Sequence, residues 1–82
     1  MPQKMMEPAD IELPIEVKYF AKNLRAARIS AGLTQRDLSK LTGITQGVLS
    51  EYERGLRALG IIGMAKIATA VNIPLWQLLR PN

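Results

Sequence analysis

The sequence contains no cysteine and no histidine. The first absence excludes a disulfide framework and thiolate metal ligands, and it fits a reducing compartment. The second removes the commonest acid–base group and zinc ligand, so any catalysis would fall to 7 acidic residues. Neither an enzyme nor a metal or other cofactor is expected. Long apolar runs are missing too: none approaches the roughly 20 residues that span a bilayer. Where a signal peptide would carry its apolar stretch, Met1-Pro2-Gln3-Lys4 is followed by acids and prolines. A cytoplasmic protein with no membrane partner is therefore expected. Its 82 residues suit a single domain, which at this length buries only about 60% of the surface of its unfolded chain.

Negative charge is scarce over most of the chain. Residues 1–16 set Lys4 against Glu7, Asp10, Glu12 and Glu16, a net −3, whereas residues 17–82 hold 10 basic residues and 3 acidic ones, a net +7. A polyanionic partner, nucleic acid or a membrane surface, fits that imbalance, and so does a merely solubilising surface.

The first 16 residues contain Pro2, Pro8 and Pro14 and show no helical stripe, which predicts a flexible or extended N-terminal arm. Within it, residues 11–15 could form a short strand that pairs with a partner. From Val17 the pattern changes. Val17, Phe20, Ala21, Leu24, Ala27, Arg28 and Ala31 recur at intervals of three and four, one face of a helix that Gly32 ends. Lys18, Lys22 and Arg25 stripe the other side, suited either to solvation or to phosphate contact.

Thr34 is placed to cap a second helix with Asp37 three positions later, a short-armed capping box. That helix runs to about Thr42 and is expected to bury Leu38 and Leu41. Gly43 supplies the positive φ of a helix end, Ile44 inserts into the core, and Thr45 caps a third helix from Gln46 to Arg54. Helices joined by only about three residues must cross steeply. Gly55 closes the third helix and an unusually apolar loop, 56–60, follows. Ile61, Met64, Ala65, Ile67, Ala68 and Val71 then trace a fourth helix, and Pro74 begins a short fifth one through Leu79.

Winding the third helix at about 100° per residue puts Leu49 and Tyr52 on one side, flanked by Val48 and Glu53. Gly47, Ser50, Glu51 and Arg54 face away, and Gln46 stands at the first turn. If this helix enters a major groove, Gln46, Gly47, Ser50 and Glu51 face the bases. A glutamine amide matches adenine N6 and N7, and a glutamate can accept from cytosine N4. Gly47 serves either for close approach to bases or as a substitution with little penalty near the cap. For phosphates, the start of the second helix offers free N–H groups at Gln35 and Arg36, while Thr45, Arg54 and Arg57 bracket the reading helix.

These pieces, from Leu24-Arg25 and Arg28 through Gly32-Leu33-Thr34-Gln35, Leu38-Ser39, Gly43-Ile44-Thr45-Gln46, Leu49-Ser50 and Tyr52-Glu53-Arg54-Gly55 to Ile67-Ala68 and Ile73-Pro74, resemble the lambda-repressor-like (Cro/cI-type, XRE) helix-turn-helix domains. The resemblance runs from about Leu24 to Leu79. It implies an all-α, compact five-helix DNA-binding domain over residues 17–82 with its helix-turn-helix motif at 35–54. It also implies that Gln35 contacts a phosphate and braces the base-reading Gln46, and that Arg28 and Glu53 form a structural ion pair between the first and third helices. Three features depart from the family pattern: Ser39 in place of alanine, Gly47 in place of a reading side chain, and an apolar Leu56, Leu59 and Ile62. The last of these, with Trp76, predicts a homodimer contact at Leu59, Ile62 and Trp76.

The expected function is a sequence-specific, double-stranded DNA-binding transcriptional regulator, a dimeric repressor. The alternative is an antitoxin or adaptor whose N-terminal arm binds a protein partner and whose DNA binding serves autoregulation.

Overall fold

Pro14 opens the first helix. Its φ of −58° is already set by the ring, and the chain turns helical at Ile15, forming α1 (Ile15–Ser30). The computed structural model describes residues 13–82. Helix α1 therefore begins inside the segment expected to be an arm, and Ile15 of the proposed strand is helical. Residues 11 and 12, like the rest of the arm assigned to a protein partner, lie outside the described residues.

Four more helices follow: α2 (Gln35–Thr42), α3 (Gln46–Glu53), α4 (Ile61–Val71) and α5 (Leu75–Leu78). No strand occurs among the described residues. The start of α2 is the capping box expected from sequence. The Asp37 N–H donates to the Thr34 hydroxyl at 3.0 Å, and the Thr34 N–H donates to the Asp37 carboxylate at 2.9 Å. Hydrogen bonding from Thr34 to the carboxyl, first from its backbone N–H and then from its side chain, holds the Asp37 carboxyl below its ordinary value. At the other end Gly43 takes φ 75°, where a side chain would be strained, and its N–H returns to the Ser39 carbonyl at 2.8 Å. Three residues then suffice to reach α3, which Thr45 caps by accepting from the Val48 N–H at 3.4 Å.

Each helix contributes one large aliphatic side chain with no more than 1% exposure: Leu24, Leu38, Leu49, Ile67 and Leu78. Burying such a side chain is worth about 1.5 to 3 kcal/mol, so each helix is held chiefly by this shared centre. Phe20, Ala27, Ala68 and Val71 complete the core, with Leu33, Ile44, Tyr52, Leu59 and Met64 packed around it. Four-residue α5 is too short to stand alone. Asn23 of α1 secures its end by donating to the carbonyls of Leu78 at 3.0 Å and Arg80 at 2.9 Å.

Four residues expected to be inside are not. Leu41 is 62% exposed, because the buried stripe of α2 runs from Leu38 to Thr42. Thr42 tolerates that position since its hydroxyl donates to the Leu38 carbonyl at 2.8 Å and accepts from the Ile44 N–H at 3.2 Å. Ala31 is exposed because it has already become the C-cap of α1. Ile61 and Ala65 are exposed because α4 turns Met64, Ile67, Ala68 and Val71 inward, which leaves Ile61 at the open first turn and Ala65 on the outer face with Ile62 and Thr69. Pro74 is the N-cap of α5 and stands outside it.

Candidate nucleic-acid interface

Helix α3 has one clamped face and one free face. Leu49 anchors the clamped side with no exposure, and Tyr52 packs against the same core. Beside them Glu53 receives Arg28 in a two-pronged ion pair, Nε to Oε2 at 2.7 Å and Nη2 to Oε1 at 3.0 Å. The remaining Nη1 donates to the Leu33 carbonyl at 2.8 Å. Both side chains are nearly covered, Arg28 at 13% exposure and Glu53 at 4%. Every nitrogen of the guanidinium is therefore occupied, and its pKa is raised, first by the hydrogen bond to Glu53. One pair fastens α3 to α1 and to the segment that leads into α2.

Gln35 joins this cluster. Its Nε2 donates to Glu53 Oε1 at 3.4 Å, so its brace runs to Glu53, and no hydrogen bond links it to Gln46 among the described residues. Arg36, next along the first turn of α2, is exposed. The first N–H groups of that helix have no acceptor within it and stand at its positive end.

The free face carries the base-reading candidates. Gln46 and Gly47 are exposed, and Ser50 and Glu51 are half-buried. A Cβ added at Gly47 would meet no atom within 4 Å, so the missing side chain leaves open space on this face. Thr45 is exposed at the cap, and Arg54 is exposed just past the helix, its Nε donating to the Ser50 carbonyl at 3.4 Å.

Gly55, at φ 70°, then reverses the chain, and the Leu56 N–H returns to the Glu51 carbonyl at 3.0 Å. That reversal lays Arg57 against Glu51, with Nε 2.7 Å from Oε2. Sequence reasoning placed these two residues separately, as a base reader and a phosphate contact, and missed their pairing. Six positions that straddle a helix end share no periodic relation. The only available signal was Gly55, whose left-handed turn folds the following residues back along the helix.

Of the residues expected at a dimer contact, Ile62 is 72% exposed and Trp76 61%. Arg80 lies over the Trp76 ring at 5.9 Å from its centre. Leu59 is half-buried against the core, and so supports the surface from beneath. Ile62, Ala65 and Thr69 of α4 line a shallow groove with Leu41 of α2. Among the described residues no group of three or more acidic side chains could hold a metal ion, and no helix is long and apolar enough to cross a membrane.

Comparisons with known proteins agree with this geometry. A family model described as helix-turn-helix matches residues 24–75. The Neisseria hypothetical transcription factor of Neisseria meningitidis is 31% identical over 99% of this chain and 77% of its own length. The uncharacterized HTH-type transcriptional regulator y4dL of Sinorhizobium fredii is 33% identical over 71% of this chain, which spans only 30% of that protein. Among solved structures, the restriction-modification controller protein C.AhdI of Aeromonas hydrophila superposes with a TM-score of 0.74 at 31% identity, covering 79% of this chain and 98% of its own.

Proposed function

This chain belongs to the helix-turn-helix family of transcription regulators, in its lambda-repressor-like (XRE) branch, and on that premise we propose that it is a dimeric repressor that reads double-stranded DNA through α3. The observation that carries this reading is the asymmetry of α3: one face is locked by Leu49 and the Arg28–Glu53 pair, and the other leaves Gln46 and Gly47 open at the end that enters a major groove, with half-buried Ser50 one turn on. A rigidly held helix keeps its polar side chains in register with base edges. Gln46 then pairs with a base, with adenine the best match for its amide, and Glu51 shares the groove edge.

Phosphate contacts fix the register. Arg36 and the open N–H groups of α2 serve one strand, together with Gln35 and Thr45, and Arg54 and Arg57 serve the far side. Two copies meet through the apolar outer face formed by Ile62, Ala65 and Leu41, and exposed Trp76 of α5 adds a further apolar contact. Half-sites then lie about one helical turn, roughly 34 Å, apart. Such a protein works in the cytoplasm, on the nucleoid.

The test begins with duplexes selected by the wild-type protein from a randomised pool. Gln46→Ala should lose about 1 to 3 kcal/mol of discrimination per half-site on those duplexes while retaining weak, salt-sensitive binding to unrelated DNA. Undiminished selectivity in that variant would remove α3 from the reading role. Sedimentation of the wild type and of Ile62→Asp would show whether the α4 face joins two copies.

A further inference from the structure

The Arg57 guanidinium is used along one edge only. Its Nε donates to Glu51 Oε2 at 2.7 Å, and among the described residues neither Nη1 nor Nη2 meets an acceptor. Arg28 makes the opposite use of the same group, spending Nε and both Nη nitrogens on Glu53 and the Leu33 carbonyl. Arg57 also remains 49% exposed, and Glu51 36%. A guanidinium held through Nε keeps its two-nitrogen edge free, the edge that matches two oxygens of a phosphate.

We infer that Glu51 is a positioning residue for Arg57, holding its free guanidinium edge toward a DNA phosphate beside the groove, and that it does not itself read a base. The backbone makes this arrangement specific. The Gly55 reversal brings residue 57 back to the level of Glu51 on α3, so the cation stands at the reading helix and not at the end of a free loop. A long arginine side chain loses less freedom on meeting phosphate when its orientation is already set. The carboxylate also lies on a DNA-facing surface where, unpaired, it would repel phosphate; pairing with Arg57 offsets that repulsion.

The inference rests on the DNA-reading role proposed above, and it predicts coupling between two residues and no change of sequence preference. The experiment compares wild type, Glu51→Ala, Arg57→Gln and the double variant on the duplexes that wild type selects from a random pool, at several salt concentrations. Arg57 is exposed, Glu51 is only half-buried and neither belongs to the core, so all four proteins should fold, with thermal unfolding as the check. Arg57→Gln should weaken binding about tenfold and reduce the salt slope by about one unit. Glu51→Ala should weaken binding with Arg57 present and leave it unchanged or slightly tighter with Gln at 57, the effects in the two backgrounds differing by more than about threefold. The base preference re-selected by Glu51→Ala should match that of wild type. An effect that differs by less than that between backgrounds, or an altered base preference, would overturn the positioning role while leaving the DNA reading intact. A wild-type protein that selects no duplex would overturn both.

Discussion

Glu51 and Glu53 stand two residues apart on α3, each with a carboxylate oxygen 2.7 Å from an arginine Nε, yet the two pairs belong to different parts of the molecule. At Glu53 the carboxylate is 4% exposed and its partner has no free nitrogen, so the pair acts as a rivet between helices. At Glu51 water reaches both groups, and among the described residues both Nη nitrogens of the guanidinium are unused. The difference is made by burial and by spare hydrogen-bonding capacity, since the primary ion-pair distance is the same. A pair sealed from water has been committed to the fold. One left open retains donors for a ligand.

Removing one carboxylate at a time should separate the two pairs most sharply. Glu53→Ala strands Arg28 in a nearly closed site, and an uncompensated charge there should cost about 3 to 5 kcal/mol. In a chain of this length, whose whole stability is roughly 4 to 12 kcal/mol, denaturant unfolding should show a large loss, with Tm falling by more than about 12 °C. Glu51→Ala, by contrast, should change stability by less than about 1 kcal/mol, the ordinary worth of an exposed ion pair. Equal losses in the two variants would break the comparison. Replacing Arg28 and Glu53 together by apolar residues of similar size should recover much of the loss, because neither charge is then left unpaired.

Gly47 tests the free face in the other direction. With no atom within 4 Å of its missing Cβ, Gly47→Ala should stabilise the protein by up to about 0.5 to 1 kcal/mol through helix propensity alone. If DNA affinity falls as stability rises, the glycine is there for close approach to the bases. Unchanged affinity would reduce it to a tolerated gap.

Asp37 is a third carboxylate, half-buried like Glu51 but tied to backbone. Its pKa is lowered in the fold by hydrogen bonds from Thr34, so the stability it contributes is fully present above its ordinary value of 3.8. That contribution is lost as pH falls through the lowered pKa. Asp37→Asn should therefore flatten the acid side of the stability profile and leave the effect of Glu53→Ala at neutral pH untouched. An acid limb of the same steepness in both proteins would show that the capping box adds nothing to pH dependence.

Much of the fold could be read locally. Thr34 with Asp37, Gly43, Thr45 and Gly55 announce their helix ends because a cap is a relation among residues three to five positions apart, and the chain honoured each of them. The inward face of α1 from Phe20 to Ala27 was legible for a similar reason: sixteen residues provide enough turns for a stripe to stand out. Eight-residue α2 does not. There Leu38 could be followed inward by either Leu41 or Thr42, and the packed fold buries Thr42 and leaves Leu41 outside.

At the candidate site, the outward position of Gln46 and Gly47 followed from helical winding, while Arg28–Glu53 was implied only by resemblance. The pairing of Glu51 with Arg57 was legible from neither source.

By itself the sequence determined the number of helices, their caps, the basic character of the folded part and the face of α3 that remains polar, since each is a property of composition or of neighbours along one turn. Tertiary structure alone decided which arginine is sealed and which is open, which partner Gln35 braces, and which apolar residues of α2 and α4 are left outside. Those outcomes depend on where separate helices meet around one small core, and no periodicity within a single segment encodes that meeting.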